Sequence, residues 1–304
     1  MKNLTTDIKN LEIKTLDNLK LSKARNTIRA YKSDFKDFAL FCSKHSMKSM
    51  PTEPKTVSLY LTYLSKQSKY STLKRRLASI NIMHRYKGHY LDTKNPIIVE
   101  NLLGIKRQIG VYQKSKEPLM FSNIKEIIKG INDSKLSEIK KLRDKSLILI
   151  GFSGGFRRSE LVSITKDDVE FVKEGVKIFV KKSKSDQSGE GMIKAIPSFR
   201  SLEYCPVDHL RKWLQINKND LLFPISDKNV ALIIKKHALN AGLDDKKYAG
   251  HSLRSGFATS TAEVGASERN IMAMTGHKSV EMVRRYIKEA DLFKNNALNK
   301  ISSE

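Results

Sequence analysis

Apolar residues recur at helical spacing along most of the chain, and basic residues fill many of the positions between them. The pattern is weak before position 22 and predicts a loosely held helix or arm at the N-terminus, over residues 1–21. From there it sharpens, and the first clear helix carries Ile28, Tyr31, Phe35, Phe38 and Cys42. Three more short helices follow, the last from about Pro96 to Leu103, so residues 22–103 predict a small helical bundle.

A second domain is predicted beyond a basic, polar stretch (GIKRQIGVYQKSKEP) that we interpret as a linker, residues 104–118. Helical periodicity resumes in residues 119–288, the predicted second domain. Within it, residues 176–182 and 192–197 alternate, are rich in β-branched side chains and flank turn residues, which predicts a β-hairpin. Residues 289–304 are predicted to form a short C-terminal tail helix with an apolar stripe. The predicted fold is mainly α with a small antiparallel β-hairpin or sheet in the second domain.

The charge of the chain indicates a polyanionic partner. Among 304 residues, 57 are Lys or Arg and 32 are Asp or Glu, a formal charge of +25. Residues 1–116 hold 24 of the basic and 8 of the acidic side chains, so the smaller N-terminal part is the more strongly basic. An AT-rich genome inflates lysine everywhere but does not explain this asymmetry. A membrane binder would concentrate its charge on one amphipathic helix, so we expect a polyanionic partner that presents phosphates rather than a membrane.

Several other classes of protein are disfavoured by what the sequence lacks. The two cysteines, Cys42 and Cys205, are far apart, which argues against a disulfide framework and fits a reducing cytoplasm. We find no secretory leader, no apolar run of membrane-spanning length, no glycine-rich phosphate loop ending in GK[ST] and no HExxH motif. The sequence therefore predicts a cytoplasmic, nucleoid-associated protein with no metal and no nucleotide cofactor.

Candidate catalytic residues stand beside helix-breaking glycines. Arg157 follows Gly154-Gly155-Phe156, and the i,i+3 pair His251 and Arg254 opens a helix after Gly250. His277 follows Gly276, and Tyr286 comes nine residues later. Each residue alone has an ordinary interpretation, because such arginines are usually solvated and such tyrosines usually pack. Their ordered combination carries the functional prediction.

That combination resembles the tyrosine recombinase (phage integrase) family, whose catalytic domain carries Arg, Lys, His-x-x-Arg, Gly-His/Trp and Tyr in this order. In this chain the positions are filled by Arg157, Lys184, His251, Arg254, His277 and Tyr286. The segments GHSLRSGFATSTAEVG and IMAMTGHKSVEMVRRYI resemble phage- and plasmid-type members, including Cre-like ones. SKARNTIRAYKSDFKDFALFC looks like the family's N-terminal core-binding domain. The resemblance spans most of residues 22–298.

The resemblance implies a site-specific recombinase that cleaves and rejoins DNA through a 3′-phosphotyrosyl intermediate. Tyr286 would be the nucleophile, and Arg157 and Arg254 would hold the phosphate oxygens with bonds that need no metal. Because the phosphotyrosine conserves the bond energy, rejoining needs no ATP. The outcome would be integration, excision, inversion or resolution.

The resemblance also implies roles for the remaining positions. Lys184 would protonate the departing 5′ oxygen, with Lys181 and Lys182 left as alternatives. His251 would accept the Tyr286 proton, His277 would donate a hydrogen bond to the phosphate, and Glu160 would orient a nearby His or Arg. Two competitors fit the family pattern less well: Arg158 beside Arg157, and Tyr248, which lacks the Gly-His lead-in.

The expected partners follow from the same resemblance. The basic helix with Lys74, Arg75 and Arg76 would meet DNA, although a solvated face is an equal alternative. The two domains would form a clamp on duplex DNA. The apolar tail, with Leu292, Phe293, Ala297, Leu298 and Ile301, would dock on a neighbour in a homo-tetramer on two DNA sites, with accessory DNA-bending proteins as further partners. A type IB topoisomerase and a non-catalytic architectural DNA-binding protein are the competing hypotheses.

Overall fold

The chain folds into two compact units, residues 1–114 and 115–304. The computed structural model describes residues 4–21, 24–111, 116–181, 190–291 and 297–300. The described part is mainly helical with a small antiparallel sheet in the second unit, which confirms the predicted fold class. Among the described residues, no helix combines the length and apolar character needed to cross a bilayer.

The described residues of the N-terminal unit form five helices: α1 (Leu4–Leu21), α2 (Arg25–Lys44), α3 (Pro54–Ser65), α4 (Tyr70–Tyr86) and α5 (Pro96–Ile109). Apolar side chains from α2 to α5 meet in one core that includes Phe38, Tyr60, Leu61, Leu73, Ile80 and Ile98. The helical spacing in α2 buries Phe38 and Cys42 on one face, as the sequence pattern predicted. In α1 the apolar side chains Ile8, Leu11 and Ile13 are all more than half exposed.

Helix α5 is longer than the sequence pattern indicated. It continues past Leu103 through Gly104 and ends at Ile109, so the first part of the predicted linker, residues 104–118, is helical. The reason is burial, because Ile105 is only 5% exposed and packs into the N-terminal core. A glycine is weakly unfavourable inside a helix, and this packing outweighs it.

The C-terminal unit begins with helices α6 (Phe121–Asn132), α7 (Glu138–Ser153) and the short α8 (Arg158–Leu161). Three strands follow: β1 (Val169–Val172), β2 (Gly175–Val180) and β3 (Met192–Pro197). Five helices complete the unit: α9 (Pro206–Ile216), α10 (Asp227–Asn240), α11 (Ser252–Glu263), α12 (Glu268–Thr275) and α13 (Val280–Asp291).

The sheet has the order β1-β2-β3, with both pairs antiparallel. Strands β2 and β3 correspond to the predicted hairpin, and Val176 lies opposite Ile196 in its register. Strand β1 was not predicted, because its four residues, three half-buried and one exposed, give too short a pattern to recognise.

Two helices hold the centre of the C-terminal unit. Helix α7 is buried on all sides from Ser146 to Ser153. Helix α11 lies against the chain entering α6, where the Leu119 amide donates to the Ser252 carbonyl at 2.9 Å. The approach is so close that a Cβ atom at Gly256 would lie 1.8 Å from the Leu119 oxygen. The helix that carries Arg254 is therefore held in a fixed position by backbone contact.

Candidate active site

Arg157 stands in a tight turn between α7 and α8. Gly155 has a φ of +53°, a conformation that side chains with a Cβ rarely adopt, and it reverses the chain just before Arg157. The carboxylate of Glu160, itself 1% exposed, accepts from the Arg157 amide at 2.9 Å and from its guanidinium at 2.5 Å. Glu160 therefore fixes both the backbone and the side chain of Arg157.

Arg254 reaches the same turn from α11. Its side chain is 2% exposed, and its guanidinium donates to the Gly155 carbonyl at 2.8 Å. Burial first, and then the positive charge of Arg157, lower the pKa of Arg254 to about 10, with Glu160 opposing. The group therefore stays protonated at neutral pH, and the two arginines share one charged environment.

His277 follows α12 in a second tight turn. Gly276 ends that helix in the left-handed conformation, with a φ of +63°, which favours glycine. Arg157 donates to the Gly276 carbonyl at 3.5 Å, so the first turn contacts the second. The ring centroids of His277 and Tyr286 are 6.0 Å apart. The structure thus groups Arg157, Arg254, His277 and Tyr286.

The hydrogen bonds of Thr275 determine the tautomer of His277. The Thr275 hydroxyl donates its single proton to the Ile271 carbonyl oxygen at 2.6 Å, because a carbonyl oxygen can only accept a hydrogen bond. The hydroxyl oxygen then accepts from Nδ1–H of His277 at 2.8 Å. Neutral His277 therefore presents a lone pair at Nε2, and donation from Nε2 to a phosphate requires a proton at that atom.

His277 is held neutral in the DNA-free protein. Burial first, and then the charges of Arg254 and Arg157, lower its pKa from 6.5 to about 4, with smaller effects from His251 and Lys194. An anionic phosphate beside the ring would act in the opposite direction, since a negative charge favours the imidazolium. Binding of a phosphate at this position should therefore favour proton uptake by His277.

A cleft of about 380 Å³ opens beside this group. His251, at the start of α11, is exposed and lines the cleft together with Tyr286. The same cleft carries three basic side chains, Lys116, Arg158 and Arg285. Its charge suits a nucleic-acid backbone, and the half-buried Tyr286 reaches it.

Tyr248 and Arg158, the two competitors for the roles of Tyr286 and Arg157, have different surroundings from those residues. Tyr248 is 6% exposed in the main apolar core, and burial raises its pKa. Arg158 is 41% exposed and its guanidinium lies 3.9 Å from the Asp227 carboxylate. Tyr248 is therefore held in the core, whereas Arg158 pairs with Asp227 at the lining of the cleft.

Lys184 and its alternative Lys182 lie outside the described residues. The third candidate, Lys181, is 58% exposed and bonds the buried carboxylate of Asp168 at 2.8 Å. That contact gives Lys181 a role in joining the end of β2 to the turn before β1. Lys184 stays our candidate for the proton donor, with Lys182 as its alternative.

Sequence reasoning missed a lysine at the centre of the cluster. Lys194, on β3, is fully buried and donates to the Gly154 carbonyl at 2.7 Å and to the Met274 carbonyl. The signal was present in the hairpin, because alternation places Lys194 on the inward face with Ile196. A lysine in a short strand has an ordinary interpretation as a solvated side chain, so this alternation alone did not mark Lys194 as a site residue.

The basic residues at the start of α4 divide into two kinds. Arg75 and Arg76 both bond the buried carboxylate of Asp34, and Arg76 also lies 3.5 Å from Asp37. Lys74 is exposed. We therefore interpret Arg76, 19% exposed, mainly as part of the internal network and Lys74 as the better candidate for contact with DNA.

Substitutions separate these two roles. We expect Lys74→Ala to leave the melting temperature unchanged and to lower the salt dependence of DNA binding by about one counterion. We expect Arg76→Ala to destabilise the N-terminal unit by about 1–3 kcal/mol, because the Asp34 carboxylate loses a partner. Thermal unfolding and binding titrations across salt concentrations measure both. If the salt dependence of DNA binding is unchanged in Lys74→Ala, Lys74 is a solvated surface residue that does not contact DNA.

The neutral His277 predicts a pH effect on stability. Between pH 6.5 and about 4 the unfolded chain binds a proton at this ring that the folded chain does not, so the free energy of unfolding falls as the pH falls. Over this pH range, we expect the free energy of unfolding of His277→Gln to fall by about 1–3 kcal/mol less than that of wild type. Urea unfolding of both proteins at several pH values measures the difference, and parallel curves would contradict the low pKa.

The C-terminal tail is described only in part. Helix α13 ends at Asp291, and a short 3₁₀ helix covers Ala297–Lys300. Leu298 is 65% exposed there. Three more members of the predicted apolar stripe, Leu292, Phe293 and Ile301, lie outside the described residues.

Comparisons with known proteins cover most of the chain. The chain matches the phage integrase family over residues 118–292 and the phage integrase N-terminal SAM-like domain over residues 16–89. An integrase/recombinase described as a XerD homologue, from Selenomonas ruminantium, is 40% identical over 308 residues, covering 96% of this chain and 89% of the relative.

Two solved structures share the fold. The XerH site-specific recombinase bound to palindromic difH substrate, in a post-cleavage complex, gives a TM-score of 0.62 at 20% identity over 83% of this chain and 72% of that chain. A lambda integrase tetramer bound to a Holliday junction gives 0.58 at 17% identity over 88% and 73%.

Proposed function

The chain belongs to the phage integrase family, and from this we propose that it is a site-specific DNA recombinase that uses Tyr286 as its nucleophile. The observation that carries the assignment of residues is the contact between the two turns. Arg254 holds the Gly155 carbonyl beside Arg157, and Arg157 in turn contacts the Gly276 carbonyl beside His277. Tyr286 lies next to His277 at the edge of the basic cleft.

The first requirement of the proposed reaction is to stabilise the negative charge of the phosphodiester. A phosphodiester carries a negative charge that repels nucleophiles, and attack at phosphorus adds charge to its non-bridging oxygens. Two guanidiniums stabilise those oxygens with charge-assisted hydrogen bonds. Arg157 and Arg254 supply them, and Glu160 keeps Arg157 in place before DNA arrives.

The proposed covalent step forms one bond to phosphorus and breaks another. The Tyr286 oxygen bonds to phosphorus and gives its proton to His251, which lines the same cleft. The bond from phosphorus to the 5′ oxygen breaks, and Lys184 protonates that oxygen. The product is a 3′-phosphotyrosyl linkage and a free 5′ hydroxyl. Attack by a 5′ hydroxyl from another strand reverses the step and completes strand exchange.

We further propose that the active assembly is a homo-tetramer on two DNA sites. The lambda integrase of similar fold forms a tetramer on a Holliday junction, the intermediate that exchange of one strand pair produces. The C-terminal tail and accessory DNA-bending proteins remain proposed contributors to that assembly. DNA as substrate places the enzyme at the nucleoid, in the cytoplasm.

A covalent-capture experiment tests the function. Duplexes selected for binding from a random pool are nicked near the candidate cleavage position, so that the short fragment with the new 5′ hydroxyl diffuses away and the 3′-phosphotyrosyl linkage accumulates. We expect a protein–DNA adduct on a denaturing gel. Bound DNA without an adduct would favour an architectural protein. Relaxation of a supercoiled plasmid without exchange between two labelled sites would favour a topoisomerase.

A further inference from the structure

The cluster contains a buried lysine that the proposed reaction does not use. Lys194 has no exposed surface, yet it stands in the same charged environment as Arg157 and Arg254. Burying an ammonium group costs free energy, and two neighbouring guanidiniums add to that cost. An apolar side chain on the inward face of β3 would avoid both costs. The contacts of the lysine therefore indicate what it does.

The Lys194 ammonium joins two turns from different parts of the chain. Its Nζ donates to the carbonyl of Gly154, in the turn that leads to Arg157. It also donates to the carbonyl of Met274, at the end of the helix that leads to His277. Both acceptors are backbone atoms, so the contact positions the chain itself rather than a side chain.

The Lys194 ammonium also faces an aromatic ring. The ammonium lies 4.7 Å from the centre of the Phe156 ring, a distance at which a cation binds the face of an aromatic ring. Two carbonyls and one ring account for the three donors of an ammonium group. With this coordination and no exposed surface, Lys194 is poorly placed to give a proton to a departing oxygen.

We propose, on the basis of the recombinase function proposed above, that Lys194 is a positioning residue for strand cleavage. It holds the Arg157 turn and the His277 turn at the separation that one phosphate requires. The Arg157 contact to the Gly276 carbonyl is long, at 3.5 Å, so the lysine provides the shorter connection between the two turns. Errors of about 1 Å in such a separation cost on the order of 100-fold in rate.

The electrostatics agree with this geometry. Burial lowers the pKa of Lys194 to about 7; Arg254 and Arg157 add to that effect and Glu160 opposes it. A phosphate that enters between the arginines restores the balance of charge and favours the ammonium form. The connection is therefore strongest when substrate is bound.

The test compares Lys194→Met with Lys194→Arg on the nicked duplexes used for covalent capture. We expect Lys194→Met to slow single-turnover cleavage about 10- to 100-fold, with unchanged DNA affinity and an unchanged or higher melting temperature. Lys194→Arg, which can still donate to both carbonyls, should recover the rate to within about 10-fold of wild type. Lys177→Met, on the exposed face of the neighbouring strand, is the matched control and should change nothing.

Modified substrates separate positioning from other roles. A methylphosphonate at the cleaved position removes one charged oxygen, so alignment of Arg157 and His277 matters less and the defect of Lys194→Met should shrink. A purely structural defect would persist at the same size. A second substrate carries sulfur in place of the 5′-bridging oxygen, and a thiolate leaves without being protonated. If this substrate restores the cleavage rate of Lys194→Met to that of wild type, Lys194 is a proton donor and the positioning role is overturned.

The outcomes also separate this inference from the proposed function. A wild-type protein that binds DNA but forms no adduct overturns the function and the inference together. Wild-type cleavage that Lys194→Met leaves unchanged overturns the inference alone. If Lys194→Met does not fold, Lys194→Gln, which keeps a donor on a shorter side chain, takes its place with the same expected pattern.

Discussion

Tyr286→Phe is expected to abolish the covalent protein–DNA adduct, with cleavage reduced by about 10⁴-fold or more. The change removes a single oxygen, the atom proposed to bond to phosphorus. Ser255 also lines the cleft, but its hydroxyl donates to the His251 carbonyl at 3.1 Å. The ring itself should stay in place, because it packs against the small apolar cluster of α11, α12 and α13 that contains Ala258, Ala262, Ile271 and Val283. Binding of the DNA site and the melting temperature should therefore match wild type.

The matched control is Tyr248→Phe, which removes a hydroxyl from a tyrosine buried in the main core of the same unit. It should form the adduct at nearly the wild-type rate. Capture on nicked DNA followed by a denaturing gel reads both variants. An adduct that persists in Tyr286→Phe would assign the nucleophile to a different residue.

Arg254→Met is expected to lower the cleavage rate by about 10²- to 10³-fold without loss of stability. Methionine fills a volume similar to the buried arginine stem but cannot stabilise charge on a phosphate oxygen. Because burial and the repulsion from Arg157 already disfavour the Arg254 charge, its removal costs the free protein little. Single-turnover cleavage, with thermal unfolding in parallel, measures the two effects.

Arg158→Met serves as the control for charge alone. Arg158 is partly exposed, pairs with Asp227 and lines the same cleft, so its loss should weaken DNA binding slightly and leave the rate at saturating protein within about 3-fold. Equal losses of rate in both variants would mean that general charge in the cleft, rather than the placement of Arg254, drives cleavage. A cleavage rate close to wild type in Arg254→Met would remove it from the site.

Both expectations have the same physical origin. Arg157, Arg254 and Lys194 are gathered around one buried carboxylate, Glu160, so the DNA-free site carries excess positive charge. The protein stores electrostatic repulsion there that an anionic phosphate relieves. The lowered pKa of His277 is another consequence of the same excess.

The sequence alone was sufficient for the parts of this protein that depend on local order. Periodicity predicted the helices of the N-terminal unit and the hairpin of β2 and β3, because burial of one face imposes a period on the chain. Glycines marked the turns before Arg157 and His277, since only glycine adopts a positive φ at low cost. The order of polar residues beside those glycines was enough to suggest the family that the comparisons show.

Tertiary structure decided which charged groups meet. Arg75 and Arg76 look alike beside Lys74 in the sequence, yet a carboxylate 41 residues away from Arg75 draws both into the N-terminal unit. Lys194 looks like any strand lysine, and its role follows from carbonyls 40 and 80 residues away. Charge and hydrogen bonding act through space, so a group's pKa and partners depend on residues that the fold brings together, and no local pattern records them.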